Sequence, residues 1–143
     1  MKKIMAGGVF NILHKGHIFF LKKAKSLGDS LIVIIANDKT VLKNKKPLIF
    51  SAEERKSVIE SLKFVDAVRI GYDIDNKSDY LRMVRLEKPD IIALGYDQKI
   101  DEIGLKKMIK NAGLNCDVVR IHGRLKGYST HRILEKIKLI NKK

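Results

Sequence analysis

The chain has 143 residues, enough for one domain with a buried core, and its 30 Lys and Arg against 16 Asp and Glu leave a formal charge of +14. That excess points to an anionic partner. No apolar stretch approaches the ~20 residues of a membrane-spanning helix and no charged-then-apolar leader opens the chain, so a single soluble, cytoplasmic domain over residues 1–143 with no membrane partner is expected.

Apolar strand-like runs alternate with amphipathic helical ones, without an internal repeat or a Pro/Gly/Ser-rich linker. This alternation predicts an α/β fold, Rossmann-like in layout: a parallel five-stranded sheet with helices on both faces. Strands are expected at residues 4–6, 31–36, 65–70, 91–94 and 118–121, each short, apolar and bounded by Gly, Asp, Asn or Pro. The first helix follows at residues 18–27, with Phe20, Ala24 and Leu27 as a core stripe. Ser51 and Glu54 form a capping box for a helix ending near Leu62, with Val58, Ile59 and Leu62 turned inward. Ser78 and Asp101 read as N-caps, and Gly113 closes the helix from about Asp101 to Ala112. The last helix runs from Ser129 or Thr130 to about Ile140. The single Cys116, beside Asp117-Val118-Val119, excludes an internal disulfide and suits packing better than nucleophilic chemistry.

The stretch Gly8-Val9-Phe10-Asn11-Ile12-Leu13-His14-Lys15-Gly16-His17 places two histidines around a glycine where the first strand gives way to a helix. Gly7 and Gly8 allow a close backbone approach, and the unpaired N–H groups at a helix start form an anion site. In an open parallel sheet the ligand lies at the carboxyl ends of the strands, near the reversal of strand order. Asn37-Asp38, Lys43-Asn44-Lys45-Lys46, Gly95-Tyr96-Asp97-Gln98 and residues 124–131 are expected at the same edge. Ser129 and Thr130 open the last helix, where their hydroxyls suit either phosphate binding or a plain N-cap.

His14-Lys15-Gly16-His17 resembles the His-x-Gly-His signature of the nucleotidyltransferase superfamily that includes cytidylyltransferases and archaeal FAD synthases. Tyr128-Ser129-Thr130 resembles that superfamily's motif at the closing helix, and the likeness covers nearly the whole chain. Ser26-Leu27-Gly28-Asp29, Asn37-Asp38-Lys39-Thr40-Val41, Glu54-Arg55-Lys56 and residues 88–98 look most like archaeal FAD synthases. The resemblance implies that Val9, Phe10, His14, Lys15, Gly16 and His17 contact a nucleotide, that Asp97 lies at its ribose or base, and that Tyr128, Ser129 and Thr130 sit at its phosphates. Lys46 and Arg55 match basic positions that hold triphosphate. The family usually has Thr and Asp where this chain has Val9 and Asn11, and Thr or Ser where it has His131.

The expected chemistry is nucleotidyl transfer to an acceptor that already carries a phosphate, so no protein nucleophile or general base is required. His14 and His17 would donate to the α-phosphate and its bridging oxygen, Lys46 and Arg55 would hold the β- and γ-phosphates, and Mg²⁺ accompanying the nucleotide would screen the departing pyrophosphate, with no protein metal ligand assigned. The resemblance implies AMP transfer from ATP to FMN. CMP transfer from CTP to glycerol 3-phosphate or another polyol phosphate, and adenylylation of a sugar phosphate, are the alternatives. Phe19, Tyr72, Tyr80 and Tyr96 are candidate walls for a flat ring, and Phe20 reads as core. The lysine-rich tail (Lys136, Lys138, Lys142, Lys143) raises nucleic-acid binding, but no such motif is visible and no nucleic-acid partner is expected. A homodimer is expected by resemblance alone.

Overall fold

Ile4, Met5 and Ala6 are all buried, and they form the centre of the first strand, β1 (Lys3–Gly8), in a computed structural model that describes residues 1–71, 77–123 and 127–141, without the side chains of 77–79. The remaining elements follow as α1 (Lys15–Lys25), β2 (Ser30–Ile35), α2 (Asp38–Lys43), α3 (Ala52–Glu60), β3 (Ala67–Ile70), α4 (Lys77–Glu87), β4 (Ile91–Leu94), α5 (Glu102–Asn111), β5 (Asp117–Arg120) and α6 (Thr130–Asn141). The strands form one five-stranded sheet in the order β3-β2-β1-β4-β5, and every pairing is parallel.

Successive strand residues face opposite sides of a sheet, so a strand covered on both faces is apolar throughout. Ile4, Ala6, Leu31, Val33 and Ile35 pack with Leu21 and Ala24 of α1 and Ile59 of α3. On the other face Met5, Ile32, Ile34, Ile92 and Leu94 pack with Leu81 and Val84 of α4 and Leu105 and Ile109 of α5. Helices therefore cover both faces, as expected from the sequence. Among the described residues no helix is long and apolar enough to cross a membrane.

The Ser51–Glu54 capping box is present, Asp101 caps α5 through the Gly104 N–H at 3.1 Å, and Gly113 follows α5 with φ +74°. Only glycine adopts that left-handed backbone without strain. Several details differ from expectation. The third strand starts at Ala67, because Val65 N–H donates to the Leu62 carbonyl at 3.1 Å and belongs to the preceding turn. The α3 helix ends at Glu60, and its buried stripe is Ala52, Arg55 and Ile59, which leaves Val58 47 % exposed. Ser78 lies inside α4, not before it, and its side chain is outside the described residues. Tyr80 packs into the core of the second face, and burial pushes its phenol up to about 12, so it is no ring wall. Tyr72, residues 124–126, Lys142 and Lys143 lie outside the described residues.

Candidate active site

Strand order reverses between β1 and β4, and the loops leaving these two strands bound a cleft of about 430 Å³, within the range of small-ligand pockets. Gly7 to Asn11, His14, Gly16 and His17 form one side. Gly95 to Gln98 form another, and Tyr128 to His131 the third. Gln98 ties the first two together: its Nε2 donates to the Gly7 carbonyl at 2.9 Å while its Oε1 accepts from Gly95 N–H at 2.8 Å.

Two glycines lining the cleft lie in close approach to their neighbours. A Cβ on Gly8 would meet the Phe10 ring at 2.8 Å. One on Gly16 would meet the His14 ring at 2.8 Å and the Tyr128 carbonyl at 2.9 Å, so this glycine lets the α6 loop cross the start of α1.

The histidines cap their own helix. His14 is the N-cap, its Nδ1 accepting from Gly16 N–H at 3.0 Å, and the His17 Nδ1 accepts in return from His14 N–H at 3.3 Å. An Nδ1 that accepts is unprotonated, which places the N–H of each neutral ring on Nε2. The rings stack with centroids 3.8 Å apart, and Phe10 meets His17 edge-on at 5.2 Å. Burial lowers His14, and burial followed by the neighbouring His14 holds His17 down to about 4, against a smaller upward pull from the Ile12 carbonyl. His17 is thus a neutral hydrogen-bond donor at physiological pH.

Of the other sequence candidates, Val9, Phe10, Gly16, Lys46, Asp97, Tyr128, Ser129 and Thr130 all line the cleft. Lys15 lies outside that lining, with its ammonium 5.9 Å from the centre of the Tyr128 ring. Asn37 caps α2, where its Oδ1 accepts from Thr40 N–H at 2.8 Å. Ser129 does act as a cap, its Oγ accepting from Arg132 N–H at 3.2 Å. Phe19 and Tyr96 line the cleft as candidate ring walls, and Phe20 both lines it and packs on the core.

Arg55 is a correction. It is 1 % exposed, and its guanidinium donates to the Phe50 and Val9 carbonyls at 3.0 and 2.8 Å and to Asp38 Oδ1 at 2.8 Å. With these donors engaged within the chain, it stands behind the β1–α1 loop and shapes it, outside the residues that line the cleft. Arg120, which the sequence does not single out, does the same for the opposite wall by donating to the carbonyls of Gly95, Gln98 and Ile100 at 2.7–2.8 Å. No sequence signal marks it, because its partners are backbone groups assembled by the fold. Cys116 packs against the second core, and burial, then Asp117 and Asp90, push its thiol up to about 11, which suppresses the reactive thiolate.

A parallel sheet with its cleft at the reversal point and a helix start facing into it is the layout of nucleotide-binding α/β domains. The chain belongs to the cytidylyltransferase-like family, whose model matches residues 5–136. It is 44% identical over 137 residues to the FAD synthase of Archaeoglobus fulgidus, covering 93% of this chain and 95% of the relative. Identity to the FAD synthase of Picrophilus torridus is 46% over 138 residues, covering 93% and 96%. Among solved structures, the lipopolysaccharide core biosynthesis protein from Thermoplasma volcanium superposes with a TM-score of 0.82 at 44% identity, covering 88% of this chain and 99% of that one. The pantoate-beta-alanine ligase of Francisella tularensis, with a TM-score of 0.66 at 19% identity over 99% of this chain and 69% of its own, shares the fold alone.

Proposed function

We propose that the chain is an FAD synthase that transfers AMP from ATP to FMN and releases pyrophosphate. The observation that carries this is the pair of neutral imidazoles, stacked at 3.8 Å at the start of α1 and lining the cleft. The identity to FAD synthases supports the choice of substrates.

The FMN phosphate is anionic at neutral pH and attacks the α-phosphorus in line. The new P–O bond forms as the bond to the α,β-bridging oxygen breaks, and pyrophosphate leaves. His14 and His17 offer Nε2–H donors to the α-phosphate and the bridging oxygen, where charge grows in the transition state. No proton transfer is needed. Lys46, Ser129, Thr130 and the N–H groups opening α6 take the β- and γ-phosphates. Asp97 and Val9 address the nucleoside, and Phe19 and Tyr96 flank the flat acceptor ring.

Among the described residues no group of three or more His, Cys, Asp or Glu side chains could hold a metal ion. Mg²⁺ accompanying the nucleotide would supply charge neutralisation of the leaving pyrophosphate. Residues 1–143 act as one cytoplasmic nucleotidyltransferase domain, and the superfamily resemblance supports a homodimer.

The test crosses ATP and CTP with FMN, glycerol 3-phosphate and a heptose 1-phosphate while pyrophosphate is monitored. Release with ATP and FMN is expected. Release only with CTP and glycerol 3-phosphate, or only with ATP and the sugar phosphate, would overturn the assignment.

A further inference from the structure

By sequence alone Asn11 reads as a neutral amide unable to do charge-dependent work beside the histidine motif. The structure gives it a different part. The side chain is buried, 6 % exposed, and its amide works in both directions: Nδ2 donates to the Pro47 carbonyl at 2.7 Å and Oδ1 accepts from Ile49 N–H at 3.4 Å. A carboxylate could accept from Ile49 but has no hydrogen for Pro47, so only an amide makes both bonds.

The segment so held has little else to fix it. Leu48, Ile49 and Phe50 are each 38–43 % exposed, and Lys45 has φ +57°. One end is fastened by Lys46 N–H donating to the Val41 carbonyl at 3.2 Å, and the other by the Phe50 carbonyl accepting from Arg55 Nε at 3.0 Å. Asn11 fastens the middle, and Lys46 and Pro47 are the two residues of this segment that line the cleft.

We propose that Asn11 is a positioning residue that ties residues 46–49 to the β1–α1 loop and thereby presents the Lys46 ammonium to the triphosphate. This rests on the cleft being a nucleotide site. The long lysine side chain loses rotamer freedom when it engages phosphate, and an anchored backbone reduces what must be ordered on binding. Losing the bridge therefore weakens ATP and spares FMN, whose ring lies toward Phe19 and Tyr96.

The experiment measures ATP and FMN dissociation constants by calorimetry for wild type, Asn11→Leu, Asn11→Asp, Lys46→Ala and the Asn11→Leu/Lys46→Ala double variant, alongside hydrogen exchange at the Ile49 amide. Asn11→Leu should weaken ATP about tenfold, the scale of one lost buried hydrogen-bond pair, with FMN within twofold and faster exchange at Ile49. Unchanged FMN affinity also certifies that the variant folds. Asn11→Asp should lose at least as much for ATP. In the Lys46→Ala background Asn11→Leu should cost little more, because the two residues act as one unit. Wild-type binding of ATP with additive losses in the double variant, or with unchanged ATP affinity in Asn11→Leu, would overturn the role of Asn11 alone. Failure of the wild type to bind ATP would overturn the nucleotide assignment and this role with it.

Discussion

His14 and His17 cap one helix reciprocally: each ring's Nδ1 accepts a backbone N–H, from Gly16 at 3.0 Å and from His14 at 3.3 Å, and this sets both rings as Nε2–H donors. One pair of hydrogen bonds thus serves local structure and chemistry together. A capping box usually pairs Ser or Thr with Glu or Gln. Imidazoles in those places make the cap sensitive to protonation, because an Nδ1 that gains a proton can no longer accept.

That sensitivity makes stability depend on pH on the acid side. The folded pKa of His17, about 4, lies below its ordinary 6.5, so between these values the unfolded chain binds the extra proton. The contribution of His17 is fully present above its unfolded value of 6.5 and is lost as pH drops toward 4, with His14 acting in the same direction. Urea midpoints should decline over that window, and His17→Gln should flatten the decline. Asp66, lowered by its hydrogen bond from Lys25, acts below its ordinary 3.8 and so outside this window. A His17→Gln profile parallel to wild type would show that the cap does not couple to protons.

Arg55 separates a structural from a ligand role. Arg55→Met removes the donor to Val9, Phe50 and Asp38 and should cost about 3–5 kcal/mol in denaturant unfolding. A residue that merely held phosphate would lose ATP affinity at nearly unchanged stability. That second outcome would return Arg55 to the cleft.

At the opposite wall, Ser129→Ala with Thr130→Ala should weaken ATP binding by tenfold or more and leave FMN binding within twofold, measured by calorimetry. The Ser129 cap accounts for about 1 kcal/mol of stability in the same variant. Equal losses for both ligands, or none, would reduce Ser129 to its capping bond with Arg132.

What was legible in the sequence was what local chemistry decides. Ser51 and Glu54 cap α3 through each other, and the strand runs announce themselves because residues such as Ile4 and Met5 face opposite sides of a sheet covered on both. His14, Gly16 and His17 are close in sequence and stay close in space. The burial of Arg55 is not legible because Val9 and Asp38, 46 and 17 residues away, reach it only through the fold, and Val58, expected inward, is left exposed. Arg120 and Asn11 escaped for the same reason: their partners are main-chain groups 20–38 residues away, which carry no side-chain signature.

The central claim, that the paired histidines drive AMP transfer to FMN, is tested most directly by quantifying FAD and pyrophosphate formed from ATP and FMN by wild type, His14→Ala and His17→Ala. Wild type should give the two products in equal amounts. Each variant should remain folded and turn over roughly a hundredfold or more slowly, since the lost donor acts mainly on the transition state. Wild-type turnover in both variants, or pyrophosphate without FAD, would contradict it.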